Sequence, residues 1–505
     1  MQLRDSSSFD FNNTLRVAVR WIFAIGLGVM IFGLVLYNAL LIQSPRQQEY
    51  REGSMLIITE KVLTGGNPYQ AENQPLYTNV YGILYHNLVA PLAKLFGNSF
   101  AIHRIVSGIA LIAASSFLVW ACIKRGTSLL FSLAAGALFY SCQLFNITPL
   151  ARPDALGLFF FTVSTLLPWA ENYNRRSLVL SSIYGSLAFF AKPYFIVSII
   201  FVSLYLFFFD SKKKAWQYLL FSVTFLILGL IFHYRNYPFY FHNTLLSHWE
   251  YQSRFAGYMV LQMTYFLLWF SPLIIFVLVT VGRLSWRRPE LPTFAFFCST
   301  VLIAISLGQH AGNYMVYLFQ LMAPFLLVSS MVVIQRKPEL DVLAYLVLAL
   351  NAILLLYNLF PNGYWLGDEK SEADWQKASK LIEKNRIILN SPALVGEMFH
   401  LGVPIVDTGQ NQYYYTDSVP DLFFLPSKVL ILQRGVDFKT DILLGIKNRV
   451  FDRVMLTYDI SPSHIQSPWV DRETLKNYYQ PDQKLELIMP HTRQKWIIEV
   501  WIPSW

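Results

Sequence analysis

Two carboxylates in this sequence lie where long apolar runs meet polar segments, a position from which an acid or base can reach a bound substrate. Glu52 follows the first apolar run and precedes Gly53, where a ligand can approach the backbone closely. Asp154 follows Arg152-Pro153 and begins another apolar run. Such a carboxylate can take the proton of an attacking hydroxyl group, so both are candidate catalytic residues. The alternative for each is a carboxylate that stabilises the start of a helix.

A second set of residues carries positive charge at the ends of otherwise apolar runs. Guanidinium and ammonium groups in this position can bind a phosphate group. The alternative is that their charged ends extend to water from apolar stems. The candidate phosphate-binding residues are Arg152, Lys192, Arg235 and Arg254.

A third set combines aromatic rings with neutral donors that could hold the hydroxyl groups of a sugar or an acceptor. One part lies in Tyr77–Tyr85 and the other in the segment that begins at His310. For Asn313 the alternative is a helix N-cap. The candidates are Tyr81, Tyr85, His310, Asn313 and Tyr314.

The composition indicates that these residues are positioned by a membrane protein with one polar domain. Of 505 residues 54% are hydrophobic and 14% are charged, against about 25% charged in soluble proteins. Of the 71 charged residues, 34 lie between Asp368 and Glu499. These values exclude a soluble multidomain enzyme, a disordered chain and a disulfide scaffold.

Apolar runs long enough to cross a bilayer as helices recur through the first 360 residues, since about 20 helical residues span its core. We predict about eleven transmembrane helices. They lie at 18–42, 100–122, 127–146, 155–170, 177–191, 193–209, 215–233, 257–281, 291–307, 313–334 and 341–360.

Basic residues occupy every second connection between these segments, which predicts the orientation. Cytoplasmic connections of membrane proteins are rich in Lys and Arg. The N-terminus is therefore predicted in the cytoplasm, and an odd number of crossings leaves the C-terminal domain outside. Fifteen of the 24 basic residues before position 361 then lie inside: Arg4, Arg16, Arg20, Lys124, Arg125, Arg175, Arg176, Lys212, Lys213, Lys214, Arg283, Arg287, Arg288, Arg336 and Lys337.

We divide the chain into a transmembrane catalytic domain, 1–360, with its first outer loop at 43–99, and a soluble extracytoplasmic α/β domain, 361–505. In the second domain, Trp375–Glu383 is typical of a helix, and strands are predicted at Ile387–Leu389, Pro404–Val406, Val429–Leu432, Val454–Leu456 and Trp496–Trp501.

Other partners are less well supported by the sequence. The three cysteines are scattered in apolar segments, which argues against structural zinc and a disulfide framework. The basic residues follow the ends of apolar runs, so membrane topology explains them better than nucleic-acid binding does.

The order of several short motifs resembles the GT-C membrane glycosyltransferases over roughly residues 20–335. The similarity is to the family 39-type and RgtA-like enzymes, which are related to the protein O-mannosyltransferases and the lipid A aminoarabinose transferase. The motifs are Glu52-Gly53, Gly65-Gly-Asn-Pro-Tyr69, Tyr81-Gly-Ile-Leu-Tyr85, Phe96-Gly-Asn-Ser99 before Arg104, Arg152-Pro-Asp154, Lys192 and Gly312-Asn-Tyr314.

The resemblance implies transfer of a sugar from a polyprenyl-phosphate donor to a glycan, lipid or protein acceptor, outside the cytoplasm and with inversion. It maps the general base onto Glu52. Relatives often carry Asp-Glu where this chain has Arg51-Glu52, with Glu49 upstream, so whether a divalent cation is bound stays open.

Two other functions remain alternatives. A flippase or transporter of lipid-linked sugars would be a membrane protein of similar composition. Against it, the sequence shows no internal repeat, and its polar groups gather on one predicted face. A polysaccharide polymerase or ligase would share the outer active face.

Overall fold

The computed structural model describes residues 11–49, 51–144, 150–246, 256–281, 289–309, 315–359, 369–385, 387–410, 414, 428–457, 470–488 and 495–504. Helices dominate up to residue 359. They are α1 (Phe11–Gln43), α2 (Glu52–Leu63), α3 (Leu84–Phe96), α4 (Phe100–Lys124), α5 (Leu129–Gln143), α6 (Asp154–Ala170), α7 (Arg175–Ala191), α8 (Val197–Tyr205), α9 (Lys212–Asn236), α10 (Ala256–Val281), α11 (Leu291–Ile305), α12 (Ala323–Arg336) and α13 (Asp341–Leu359).

Each predicted membrane segment coincides with a helix. Among the residues that the structure describes, seven helical stretches are long and apolar enough to cross a membrane, one of them Pro193–Asp210, which contains α8. Three more apolar helices, α5, α6 and α11, are shorter. The chain is therefore a polytopic helical membrane protein, and the number of eleven crossings stays a prediction.

Small residues allow the helices of the bundle to approach closely, as is common in membrane proteins. At the contact between α6 and α7, Ser164 Oγ donates to the Ser181 carbonyl at 3.0 Å, and Ser181 Oγ donates back to the Ser164 carbonyl. A Cβ on Gly157 would lie 2.7 Å from the Phe195 ring. The start of α6 and the end of α7, which carry Asp154 and Lys192, are thus held close together.

Between α1 and α4 the chain forms a long loop that contains α2 and α3. Helix α2 ends where the sequence predicts, at Gly65-Gly66. Gly65 has a φ of +74°, and the Gly66 amide donates to the Lys61 carbonyl at 2.8 Å, as in a Schellman termination. The turn that leads from α1 into α2 contains Glu49 and Arg51.

The C-terminal part is a small α/β domain. Its helices are α14 (Glu369–Lys384), α15 (Val395–His400), α16 (Lys428–Lys447) and α17 (Arg472–Lys476). Its strands are β1 (Ile388–Asn390), β2 (Arg453–Thr457), β3 (Tyr479–Ile488) and β4 (Lys495–Pro503), in the sheet order β1-β2-β4-β3. β1 and β2 are parallel, whereas β4 is antiparallel to both β2 and β3.

Both faces of the sheet are buried at its inner strand β2. Alternate residues of a strand point to opposite faces, so Met455 packs with Trp375 and Ile382 of α14. Val454 and Leu456 pack on the other face with side chains of α16, including Ile442 and Ile446. The result is a sheet between two helical layers.

Two of the predicted strands are wrong. Val429–Leu432 lies in α16, because apolar residues recur at helical spacing through Phe438, Ile442 and Ile446, beyond the four-residue window that suggested a strand. Pro404–Val406 is not a strand, and the sequence interpretation missed β3, whose central residues are exposed and polar.

Candidate active site

Glu52 is fully buried and its carboxylate is saturated with hydrogen bonds. Arg104 binds both oxygens, with Nε at 3.0 Å from Oε1 and Nη2 at 2.8 Å from Oε2. The backbone amides of Ala151 and Gln48 donate to Oε1 and Oε2 at 2.7 and 2.5 Å. Four donors leave this carboxylate little capacity to accept a further proton or bind a substrate.

The partner of Glu52 also fixes the backbone of the turn after α1. Arg104, itself fully buried, donates to the carbonyls of Leu41, Ser44 and Arg46 at 2.9, 2.6 and 2.7 Å. The Glu52–Arg104 pair thus joins α1, α2 and α4 to the segment at Ala151. The geometry does not support Glu52 as the general base and indicates a positioning role instead.

Glu49, three residues before Glu52, has a different environment. One of its carboxylate oxygens accepts from the Arg51 amide at 3.0 Å and lies 3.7 Å from Arg152 Nη1. Burial raises the pKa of the Glu49 carboxyl above its usual 4.5, although Arg152 and Arg51 act in the opposite direction. A carboxylate with a raised pKa and a contact only at the edge of a cationic cluster is suited to accept a proton.

Asp154, at the first turn of α6, is buried between two cations. Lys192 Nζ donates to its Oδ1 at 2.5 Å, and Arg152 Nε lies 3.2 Å from its Oδ2. Pro193 follows Lys192 and ends α7 there, which leaves the ammonium group beside Asp154. Asp154 therefore holds the two predicted phosphate-binding cations, and direct proton transfer is a less suitable role for it.

Tyr81 joins the cations to one another. Its hydroxyl group accepts from Arg51 Nη1 at 3.0 Å and from Arg152 Nη2 at 3.2 Å, and Lys192 Nζ lies 5.5 Å from the centre of its ring. The next residue, Gly82, makes this placement possible, because a Cβ there would lie 1.6 Å from the Phe190 carbonyl oxygen.

We call Glu49, Arg51, Tyr81, Arg152, Asp154 and Lys192 the cationic cluster. It contains three cations and two carboxylates, an excess of one positive charge. Such a cluster attracts an anion, and the guanidinium groups suit the oxygens of a phosphate. Beside the cluster, Tyr194 donates a hydrogen bond to Gln320. Lys192 Nζ lies over the Tyr194 ring, 5.1 Å from the ring centre.

The structure brings together four of the predicted site residues: Tyr81, Arg152, Asp154 and Lys192. The sequence interpretation did not assign a role in the site to Glu49, Arg51 or Tyr194. For Arg51 a signal existed, since it is the residue at which the chain departs from the Asp-Glu pattern of the enzymes that the sequence resembles.

Two other predicted site residues do not join the cluster. Tyr85 is buried, and its hydroxyl group donates to the His103 carbonyl at 3.2 Å, which indicates a packing role rather than sugar binding. Arg235 lies exposed near the end of α9, and no described contact joins it to the cluster. Arg254, His310, Asn313 and Tyr314 lie outside the described residues.

A metal ion has no obvious ligand set in the described part of the chain. No three side chains among His, Cys, Asp and Glu come together there in a group that could hold one. The two carboxylates of the cluster are paired with cations instead.

The opposite end of the bundle has its own polar group. Glu290 accepts from Trp169 Nε1 at 2.9 Å and forms ion pairs with Arg125 and Arg336. Arg125, Glu290 and Arg336 belong to connections that the basic-residue pattern places on one side, and Trp169 lies in the last turn of α6 beside them. The residues of the cationic cluster likewise belong to connections predicted on the other side.

No protein-family model and no curated protein matches this sequence. Among solved structures, the chain is similar to the crystal structure of ArnT from Cupriavidus metallidurans in the apo state. The similarity covers 94% of this chain and 98% of that chain, with a TM-score of 0.56 and 11% sequence identity. The structure of the same ArnT bound to undecaprenyl phosphate matches over 92% of this chain and 83% of that chain, with a TM-score of 0.45 and 12% identity.

The chain is thus a multi-pass membrane protein with a C-terminal α/β domain and has the GT-C fold. ArnT, the lipid A aminoarabinose transferase, is one solved protein whose fold this chain shares. The resemblance seen in the sequence is confirmed at the level of the fold.

Proposed function

We propose that this protein is a glycosyltransferase that moves a sugar from a polyprenyl-phosphate donor to a glycan, lipid or protein acceptor. The observation that carries the proposal is the cationic cluster, in which Arg51, Arg152 and Lys192 converge beside a carboxylate of raised pKa. The GT-C fold shared with ArnT supports this choice of donor class.

In the proposed reaction, Arg51, Arg152 and Lys192 bind the donor phosphate and stabilise its charge as it leaves. Glu49 accepts the proton of the acceptor hydroxyl group. The acceptor oxygen bonds to the anomeric carbon as the carbon–oxygen bond to phosphate breaks, and polyprenyl phosphate leaves. Attack from the side opposite the phosphate inverts the configuration of the sugar.

The remaining residues have supporting roles in this proposal. Asp154 and Tyr81 orient the cations, and Glu52 with Arg104 positions the turn that carries Glu49 and Arg51. The predictions that Arg254 binds the donor and that His310, Asn313 and Tyr314 bind the sugar or the acceptor are retained.

We place the reaction on the extracytoplasmic face, with the N-terminus in the cytoplasm and the C-terminal domain outside. The alternation of basic connections supports this orientation. The assembly of Arg125, Trp169, Glu290 and Arg336 at one end of the bundle, and of the cationic cluster at the other, agrees with it.

The purified protein in lipid nanodiscs, given a labelled polyprenyl-phosphate sugar and a range of acceptors, should release polyprenyl phosphate. Reconstituted vesicles should show no translocation of the intact donor beyond that of empty vesicles. Translocation without turnover would favour the flippase instead. A Lys192→Ala variant supplies the negative control, because it removes a donor contact at the cluster.

A further inference from the structure

The C-terminal domain contacts the long loop through a buried amide side chain, that of Gln410. Its Oε1 accepts from the Val80 amide at 3.0 Å, and its Nε2 donates to Ser54 Oγ. Gln410 has no exposed surface. Its two bonds therefore join two segments of the loop that are far apart in the sequence.

Both segments carry residues of the cationic cluster. Ser54 Oγ donates to the Arg51 carbonyl at 2.7 Å, and Val80 directly precedes Tyr81. Arg51 Nη1 in turn donates to the Tyr81 hydroxyl group at 3.0 Å. Hydrogen bonds thus link Gln410 to Ser54, Ser54 to Arg51, Arg51 to Tyr81, and Val80 back to Gln410, and the peptide bond between Val80 and Tyr81 closes the ring. We call this network the Gln410 ring.

The segment that carries Gln410 is fixed within its own domain. Asn390, at the end of β1, accepts with its Oδ1 from the amides of Val406 and Asp407 at 2.9 and 3.0 Å. Asp407 Oδ1 accepts from the Gly409 amide at 2.7 Å. Gln410 is therefore presented by the sheet of the C-terminal domain.

A second contact holds the other side of the turn. Gln47 donates to the Pro392 carbonyl at 3.2 Å and accepts from the Gly396 amide at 3.1 Å. The backbones are close here, since a Cβ on Gly53 would lie 2.7 Å from the Val395 side chain. Glu49 and Arg51 thus lie between two contacts with the C-terminal domain.

We propose that the C-terminal domain is a positioning element of the active site, with Gln410 as its main positioning residue. Gln410 acts through Ser54 and Val80 to hold Arg51 and Tyr81 where they bind the donor phosphate. This inference rests on the proposed function. It follows that the donor site is complete only when the C-terminal domain is docked.

The test uses the full chain in nanodiscs with Gln410→Ala and, as a matched control, Gln480→Ala, an exposed glutamine of the same domain on β3. Hydrogen exchange at the Val80 amide should accelerate in Gln410→Ala, because its acceptor is removed. Affinity for a polyprenyl phosphate without sugar should fall by about 5- to 50-fold, as expected for two lost hydrogen bonds. The melting temperature should fall by a few degrees, because the buried Val80 amide loses its acceptor. Gln480→Ala should change none of the three quantities.

Ser54→Ala opens the same ring from the other side and replaces the first variant if Gln410→Ala does not fold. The double variant should lose less phosphate affinity than the two single losses combined, because both belong to one network. Unchanged exchange at Val80, or faster exchange with unchanged phosphate affinity, would overturn the inference. A wild-type protein that binds no polyprenyl phosphate would contradict the proposed function, and exchange at Val80 would still decide whether the ring exists.

Discussion

Glu49 and Glu52 are three residues apart, and both are buried, yet their surroundings differ. Glu52 binds Arg104 through both oxygens and accepts two backbone amides as well. Glu49 accepts one backbone amide and approaches a single guanidinium group at 3.7 Å. Burial raises the pKa of Glu49. The comparison separates a carboxylate that maintains the structure from the one that we propose as the general base.

The difference shows that position in the sequence is a poor guide to role within a short turn. Glu52, which matches the motif, is bound in a structural ion pair, whereas Glu49, three residues upstream, faces the cations of the cluster. Variants of the two carboxylates and of the nearby cations can test whether Glu49 and Glu52 have these different roles.

The largest effect is expected for Glu49→Gln, which keeps the size of the side chain but cannot accept a proton. Turnover with a labelled donor should fall by about 10²–10⁴, the usual contribution of a general base. The melting temperature should hold, because a neutral amide is less costly to bury than a carboxylate. Glu72→Gln, at an exposed glutamate of the same loop, is the control and should retain activity.

The pH profile provides a second measurement on Glu49. Because its pKa is raised, the base form should populate only above pH 4.5, so the acid limb of kcat/KM should lie above that value. The free energy of unfolding has the opposite pH dependence. The stabilisation that Glu49 provides is fully present below pH 4.5 and is lost as the pH rises through the raised pKa of its carboxyl group. An acid limb that persists in Glu49→Gln would contradict the assignment.

Glu52→Gln should lower stability, because it leaves the buried Arg104 guanidinium without a counter-charge. The loss should be about 3–5 kcal/mol, the usual cost of breaking a buried ion pair. Thermal unfolding in detergent measures it, with Glu72→Gln again as control. A Glu52→Gln protein as stable as the wild type but without turnover would restore Glu52 as the base.

Lys192→Ala should weaken the binding of a polyprenyl phosphate by tenfold or more, since a charge-assisted hydrogen bond contributes about 1.5–3 kcal/mol. Equilibrium binding to the protein in nanodiscs gives the value. Lys94→Ala removes an exposed lysine of the long loop between α1 and α4 and should leave the affinity unchanged. Equal losses in both variants would show a general effect of charge rather than a site at Lys192.

The smallest effect is expected for Arg235→Ala. This side chain is exposed near the end of α9 and has no described contact with the cationic cluster. Its removal should change phosphate affinity by less than about twofold, as for most exposed charges. A tenfold loss in the same binding assay would return Arg235 to the donor site, as the sequence suggested.

Most of the fold was predictable because its signals are long. Runs of about twenty apolar residues are hard to explain without a membrane, and each predicted segment coincides with a helix. The errors fall in the C-terminal domain, where short segments are ambiguous. Val429–Leu432 is typical of a strand until its helical continuation to Ile446 is considered.

The site was predictable only in part, because it depends on which side chains meet across the bundle. Arg152, Asp154 and Lys192 stand out as charges at the ends of apolar runs. The sequence does not show whether Glu49 or Glu52 binds Arg104, because this arginine is about fifty residues away along the chain and meets the turn only in the folded protein. Gln410 gave no signal, because a single glutamine in a polar domain is unremarkable without its partners.

The docking of the C-terminal domain on the turn after α1 also has a consequence for the timing of synthesis. Gln410 and Ser54 are 356 residues apart, and Arg46 and Glu397, which form an ion pair, are 351 apart. Chains are made from the N-terminus and fold domain by domain, so contacts of such long range form last. A nascent chain with its membrane helices inserted would still lack these contacts, and the turn at Glu49 would acquire its final order only once the α/β domain that carries Glu397 and Gln410 had been made and folded.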